Sequence, residues 1–234
     1  MYFIGSGSLL IRAITRTLDK NYKVDMVFCP PNDASISFLQ KHELEYSEID
    51  SDKSYLYNQF KNLKKSVVFS INNQCILHDN LLELDHCFYN IHNGLVQKYR
   101  GVGELCVLGA IINKETEYGV TLHEILPGES VDSGPVIDQI TINFNNISFE
   151  SLIMQSYKIL EEIFEKNLRD IVDMTYSSKY IETSNFIYTY RSINQILSNL
   201  NDVEINKYCE LGKAAIFFPR LKDKIIKSQK KLIN

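Results

Sequence analysis

Apolar residues in the first half of the chain come in short runs that stop at small or polar residues, and stretches of helical spacing lie between them. Residues 2–4 (Tyr-Phe-Ile) meet Gly5-Ser6-Gly7-Ser8, and Leu9, Leu10, Ile14 and Leu18 then recur at helical spacing, which predicts strand, turn and helix in that order. Residues 24–29 read as a second buried strand closed by Pro30-Pro31, and residues 34–42 as a helix with Ile36 and Leu39 on one face. Residues 67–71 form a third strand that ends at Asn72-Asn73, and residues 87–91 a fourth that runs into His92-Asn93-Gly94. This order predicts an α/β domain with a Rossmann-like open sheet, mostly parallel. In such sheets ligands bind at the carboxyl ends of the strands, so the polar exits at Gly5, Asn72 and His92 are expected to converge on one crevice.

The pattern changes after that point. Residues 119–125 and 135–142 are strand-like, separated by Pro127-Gly128-Glu129-Ser130, and are expected to pair as an antiparallel extension of the sheet. Residues 148–172 carry the clearest helical stripe, with Leu152, Ile153, Tyr157, Leu160, Ile163, Phe164 and Leu168 set against Glu161, Glu162, Glu165 and Lys166. Small and polar residues gather around 174–185. The expected division is therefore a catalytic domain over residues 1–173 and a small α+β appendage over 174–234. A piece that short buries little by itself, so its apolar residues, among them Tyr188, Ile193, Leu197, Ile216 and Phe217, imply docking on the body or on a second subunit, and a homodimer is expected.

Composition narrows the class. The 234 residues are 44% hydrophobic and 23% charged, ordinary values for a globular protein, and a net charge of -4 without a basic stripe argues against a nucleic-acid partner. The densest basic run, Lys222, Lys224, Lys227, Lys230 and Lys231, reads as a solvated helix end. Five cysteines without a CxxC pair, most of them among apolar residues, suit a reducing compartment. No stretch approaches the roughly twenty apolar residues of a spanning helix, so a cytoplasmic protein with no membrane partner is expected.

Candidate chemistry lies in Tyr89-Asn90-Ile91-His92-Asn93-Gly94. In an extended strand Asn90 and His92 point to the same side, which sets an amide donor and an imidazole two positions apart. Two later segments extend this pattern, Gly119-Val120-Thr121-Leu122-His123-Glu124-Ile125 and Val131-Asp132-Ser133-Gly134-Pro135-Val136-Ile137, with Lys98-Tyr99-Arg100-Gly101 between. Together they resemble the folate-dependent formyltransferases, a family that includes methionyl-tRNA formyltransferase, glycinamide ribonucleotide formyltransferase and the sugar N-formyltransferases. The resemblance covers residues 2–172 in element order, with its specific motifs between residues 67 and 137. Relatives commonly have Pro after the motif histidine and Leu-Pro before Lys-Tyr-Arg-Gly, whereas Asn93 and Val96-Gln97 stand here, a departure that bears on the shape of the substrate loop.

The resemblance implies a reaction centre of Asn90, His92 and Asp132. Asn90 would donate to the oxyanion, His92 would accept the amine proton, and Asp132 would tune the imidazole. His123 reads as a structural residue of its strand. The implied cosubstrate is 10-formyltetrahydrofolate, its pterin held by Gln74, Ile76 and Leu77 and by Gly128, Glu129 and Val131, with no metal. Lys98, Tyr99 and Arg100 are the implied substrate-binding residues, Arg100 either binding pyrophosphate or anchoring its loop. The short carboxyl-terminal segment, rich in Tyr and Ile, is too weakly basic for tRNA. The implied acceptor is thus a nucleotide-linked amino-dideoxy sugar, such as dTDP-4-amino-4,6-dideoxyglucose, used for O-antigen or other surface polysaccharide. The alternatives are glycinamide ribonucleotide and a non-catalytic folate- or nucleotide-binding module.

Overall fold

The computed structural model describes residues 1–232 apart from Ser51, Lys53, Ser198 and Asn199. The amino-terminal part runs β1 (Tyr2–Gly5), α1 (Gly7–Asp19), β2 (Met26–Cys29), α2 (Ser35–Lys41), β3 (Tyr46–Glu48), α3 (Tyr55–Phe60), β4 (Val67–Ile71), α4 (Asp79–Leu82) and β5 (Cys87–His92). Next come β6 (Arg100–Gly101), α5 (Gly103–Ile112), β7 (Glu117–Ile125), β8 (Val136–Asn143) and α6 (Phe149–Val172). The chain closes with β9 (Ile187–Tyr188), α7 (Ile193–Leu197), α8 (Asp202–Tyr208), a 3-10 turn at Gly212–Ile216 and α9 (Pro219–Leu232). The side chains of Lys230 and Lys231 lie outside the described residues.

These elements group into two compact units. The first comprises Met1–Ile91, Leu122–Asp138 and Glu161–Tyr180; the second comprises His92–Thr121, Gln139–Leu160 and Ile181–Asn234. The seven-stranded sheet has the strand order β3-β2-β1-β4-β5-β7-β8, with β1 to β4 lying wholly in the first unit. Parallel pairs join β1 to β2 and β4, β2 to β3, and β4 to β5. The sheet as a whole is mostly parallel with antiparallel members. Its central strands are apolar on both faces, as parallel strands covered by helices must be: Phe3, Ile4, Val27, Phe28, Val68 and Phe69 are all fully buried. Phe3 and Phe69 stack with ring centroids 5.6 Å apart, and Phe164 of α6 meets Phe69 edge-on at 5.0 Å.

The helical layer over this sheet is pinned by charge as well as by packing. Arg12 Nη1 and Arg16 Nη2 of α1 donate to opposite oxygens of Glu161 in α6, at 2.8 and 2.6 Å. Arg12 and then Arg16 hold the Glu161 carboxyl below the usual carboxylate range.

The second unit has its own core. Leu105, Val107 and Leu108 of α5 pack with Phe149 and Leu152 of α6, Ile193 of α7, Ile205 of α8 and Leu221 of α9. The appendage anticipated after residue 173 is therefore mostly helical, with β9 as its strand, and residues 174–180 belong to the first unit. Tyr188 and Ile193 are buried inside the second unit, whereas Ile216 and Phe217 are 76% and 71% exposed. Among the described residues no helix is long and apolar enough to cross a membrane.

Candidate active site

Asn90 and His92 fall in the last turns of pleat of β5, and each is held by a different set of bonds. Asn90 belongs to the first unit. Its Nδ2 donates to Asp132 Oδ1 at 3.1 Å and lies 3.2 Å from His123 Nε2. His123 Nδ1 is 2.8 Å from the carbonyl of Glu124, an acceptor only, so Nδ1 carries the ring hydrogen and Nε2 the lone pair that receives the second amide hydrogen. The carboxylate and the imidazole are themselves 3.5 Å apart, with side-chain exposures of 7% and 3%.

Asp132 reaches this position from the loop between β7 and β8, where its backbone adopts φ 53°. Asp is one of the few side chains that tolerate this left-handed region. On the other side of β5, Tyr89 turns its hydroxyl to Tyr176 at 3.1 Å, and burial pushes its pKa far up, so it serves as a neutral packing residue.

His92 belongs to the second unit and is 4% exposed. Its Nε2 donates to the carbonyl of Tyr99 at 2.8 Å, which places a ring hydrogen on that nitrogen. The same motif that supplies this carbonyl explains the glycine at position 94, because a β-carbon there would sit 2.6 Å from both His92 Nε2 and Tyr99 O. Two further bonds tie the intervening loop to β7: Tyr118 Oη donates to the Asn93 carbonyl at 2.6 Å, and Thr121 Oγ1 to that of Gly94 at 2.8 Å. Val96, one of the positions at which the chain departs from the relatives, is fully buried in this loop, and the buried Asn93 Oδ1 has no hydrogen-bond partner among the described residues.

The residues of the Lys-Tyr-Arg-Gly segment play distinct parts. Tyr99 is 2% exposed, its hydroxyl donates to Glu115 at 3.0 Å, and burial raises its pKa strongly. Arg100 is 4% exposed and donates through Nη1 to the Ser184 carbonyl and, at 3.4 Å, to Thr183 Oγ1. Lys98 is half exposed and pairs with Glu115 at 2.9 Å.

In the first unit, one of the two segments expected to hold a pterin is tied to a residue just beyond the other: Asp79 Oδ1 accepts from the Gly128 amide at 3.0 Å, and Gly128 turns with φ 79°. Ile76 and Val131 are 68% and 42% exposed, while Leu77 packs inward on the core. Gln74 is exposed, and Glu129 is fastened to Ser133 and to Tyr180 Oη, at 3.2 and 3.1 Å. Sequence reasoning passed over Asp79 and set His123 aside as structural. A histidine closing the buried run of residues 118–123 in β7 was the available signal. Among the described residues no cluster of His, Cys, Asp or Glu has the arrangement to hold a metal ion.

No protein-family model matches the chain. Solved structures do resemble it. An N-formyltransferase from Helicobacter canadensis, in complex with folinic acid and dTDP-3-aminofucose, superposes with a TM-score of 0.67 at 23% identity over 80% of this chain and 70% of that one. A 4-N formyltransferase from Francisella tularensis gives 0.70 at 20% identity over 88% and 85%. Phosphoribosylglycinamide formyltransferase from Bacillus halodurans gives 0.63 at 19% identity over 73% and 93%. The chain thus has the mostly parallel α/β fold that these formyltransferases share.

Proposed function

We propose that this protein is a sugar N-formyltransferase, which moves a formyl group from 10-formyltetrahydrofolate onto the amine of a nucleotide-linked amino-dideoxy sugar. The observation that carries the reading is the Asn90 carboxamide, held by His123 and Asp132 with its N–H edge presented near the carboxyl end of β5, on a fold shared with N-formyltransferases. Amine attack on the formyl carbon puts negative charge on the carbonyl oxygen, and Asn90 donates to that oxygen as the charge develops, releasing its bond to Asp132. One preorganised donor of this kind is worth about 3 to 4 kcal/mol of barrier.

His92 takes the proton lost by the attacking amine on Nδ1, while its Nε2 stays bonded to the Tyr99 carbonyl. The bond from the formyl carbon to the folate N10 then breaks, and N10 leaves with a proton, giving the N-formyl sugar and tetrahydrofolate. The loop around Gly128, fastened to Asp79, together with the exposed apolar side chains of Ile76 and Val131, suits an apolar heterocycle that also makes main-chain hydrogen bonds, as a pterin does.

Two observations favour a sugar nucleotide over glycinamide ribonucleotide. The match to the 4-N formyltransferase from Francisella tularensis covers 88% of this chain and that to the ribonucleotide enzyme 73%. The Helicobacter canadensis enzyme, moreover, was solved with a dTDP-linked amino sugar. Arg100 then serves as the loop anchor, and the more exposed Lys98 is the cation of that loop assigned to the pyrophosphate. The specific acceptor we propose is dTDP-4-amino-4,6-dideoxyglucose, whose formylated product enters O-antigen or other surface-polysaccharide synthesis.

The test supplies 10-formyltetrahydrofolate with equal concentrations of dTDP-4-amino-4,6-dideoxyglucose, a dTDP-3-amino sugar and glycinamide ribonucleotide, and identifies products by mass. The formylated 4-amino sugar is expected to dominate. Preference for the ribonucleotide would reverse the acceptor, and folate binding without any formylated product would make the chain a binding module.

A further inference from the structure

The bonds around Asn90 raise the question of what fixes its orientation. A carboxamide flips between two nearly isosteric states, and only one of them turns the N–H edge to a reacting carbonyl. His123 removes the other state. Because its Nδ1–H is committed to the Glu124 carbonyl, Nε2 presents a lone pair 3.2 Å from Asn90 Nδ2. A flipped amide would face that lone pair and the Asp132 carboxylate with its oxygen, and burial of the His123 ring, 2% exposed, strengthens the repulsion.

We infer that His123 is a positioning residue for formyl transfer, acting through Asn90: its Nε2 lone pair keeps one amide hydrogen in place, so that the other, donated to Asp132 Oδ1 at rest, can turn to the developing oxyanion. The inference rests on the formyltransferase reading above. It gives His123 a role different from that of His92, since His123 keeps its own proton throughout and never meets the substrate. Glu124 contributes only its main-chain carbonyl, so the device depends on the ring's tautomer and is insensitive to the side chain at position 124.

Steady-state kinetics on the full chain with 10-formyltetrahydrofolate and the dTDP-amino sugar test the inference. His123→Leu is expected to lower kcat about ten- to a hundredfold while both KM values stay within about twofold, the signature of an interaction made in the transition state. His123→Gln should keep kcat within about threefold of wild type, because an amide oxygen replaces Nε2 as acceptor. In an Asn90→Ala background, His123→Leu should cost nothing more, since the group it positions is gone.

Normal kcat in His123→Leu, or losses that multiply in the double variant, would overturn the inference and leave the formyltransferase reading standing. A wild-type chain that transfers no formyl group would remove both. Nitrogen-15 spectra of histidine-labelled wild-type protein give an answer independent of variants and turnover. The expected pattern for His123 is a protonated Nδ1 and an unprotonated Nε2, and the reverse tautomer contradicts the account.

Discussion

His92 and Asp132 illustrate how much of the proposed chemistry is set by backbone rather than by the reacting side chain. The imidazole of His92 is oriented by a carbonyl, and the space for that bond exists only because residue 94 lacks a side chain. Gly94→Ala should therefore displace the ring: kcat is expected to fall by about tenfold or more, with a lowered melting temperature, measured by turnover and by calorimetry on the same sample. Asp132 stands in the left-handed region, so its two roles separate by substitution. Asp132→Asn keeps the backbone preference and should abolish most turnover at nearly unchanged stability, whereas Asp132→Ala should lose the same activity and about 1 kcal/mol of stability as well. Urea midpoints of the two variants make the comparison. Asn90, His92 and Asp132 could be proposed from the sequence because they sit in short motifs with recognisable neighbours. The contact of His123 was not, because it joins residues 33 positions apart on different strands, and no local period carries that information.

Among the elements, those with a clear period were read well. β4 was placed at its observed limits and α6 to within a residue, since one is a continuous apolar run between turn signals and the other a long amphipathic stripe. Helix α5 escaped notice for a physical reason: Leu105 to Ile111 are all buried, so the helix has no polar face to give it a period. The parallel pair β6 and β9 escaped for another, since two residues each are too few to alternate. At this scale the pairing of α1 with α6 also yields a pH prediction. The arginines lower the Glu161 pKa in the folded state, so the stabilisation is fully present above the unfolded carboxylate pKa of about 4.3 and disappears as pH falls through the lower folded value. Glu161→Gln should therefore cost about 1 kcal/mol near neutral pH, discounted for the exposure of the arginines, and almost nothing below that window. Chemical denaturation of both proteins across acid and neutral pH reads the difference directly.

For the molecule as a whole, the sequence made the α/β class readable because buried parallel strands and amphipathic helices alternate over the first ninety or so residues. It did not reveal that the second half of the chain passes back and forth between two units, because β7, β8 and α6 each contribute to both and their periods run on unbroken. What the whole chain does rests on the Asn90-centred reading, and single-turnover formyl transfer tests that most directly. With enzyme in excess over dTDP-4-amino-4,6-dideoxyglucose and 10-formyltetrahydrofolate supplied, wild type should convert the sugar to its N-formyl product. Asn90→Ala should do so at least about a hundredfold more slowly at unchanged tetrahydrofolate affinity. An unformylated sugar after incubation with wild type, or a near-normal rate in Asn90→Ala, would contradict the account.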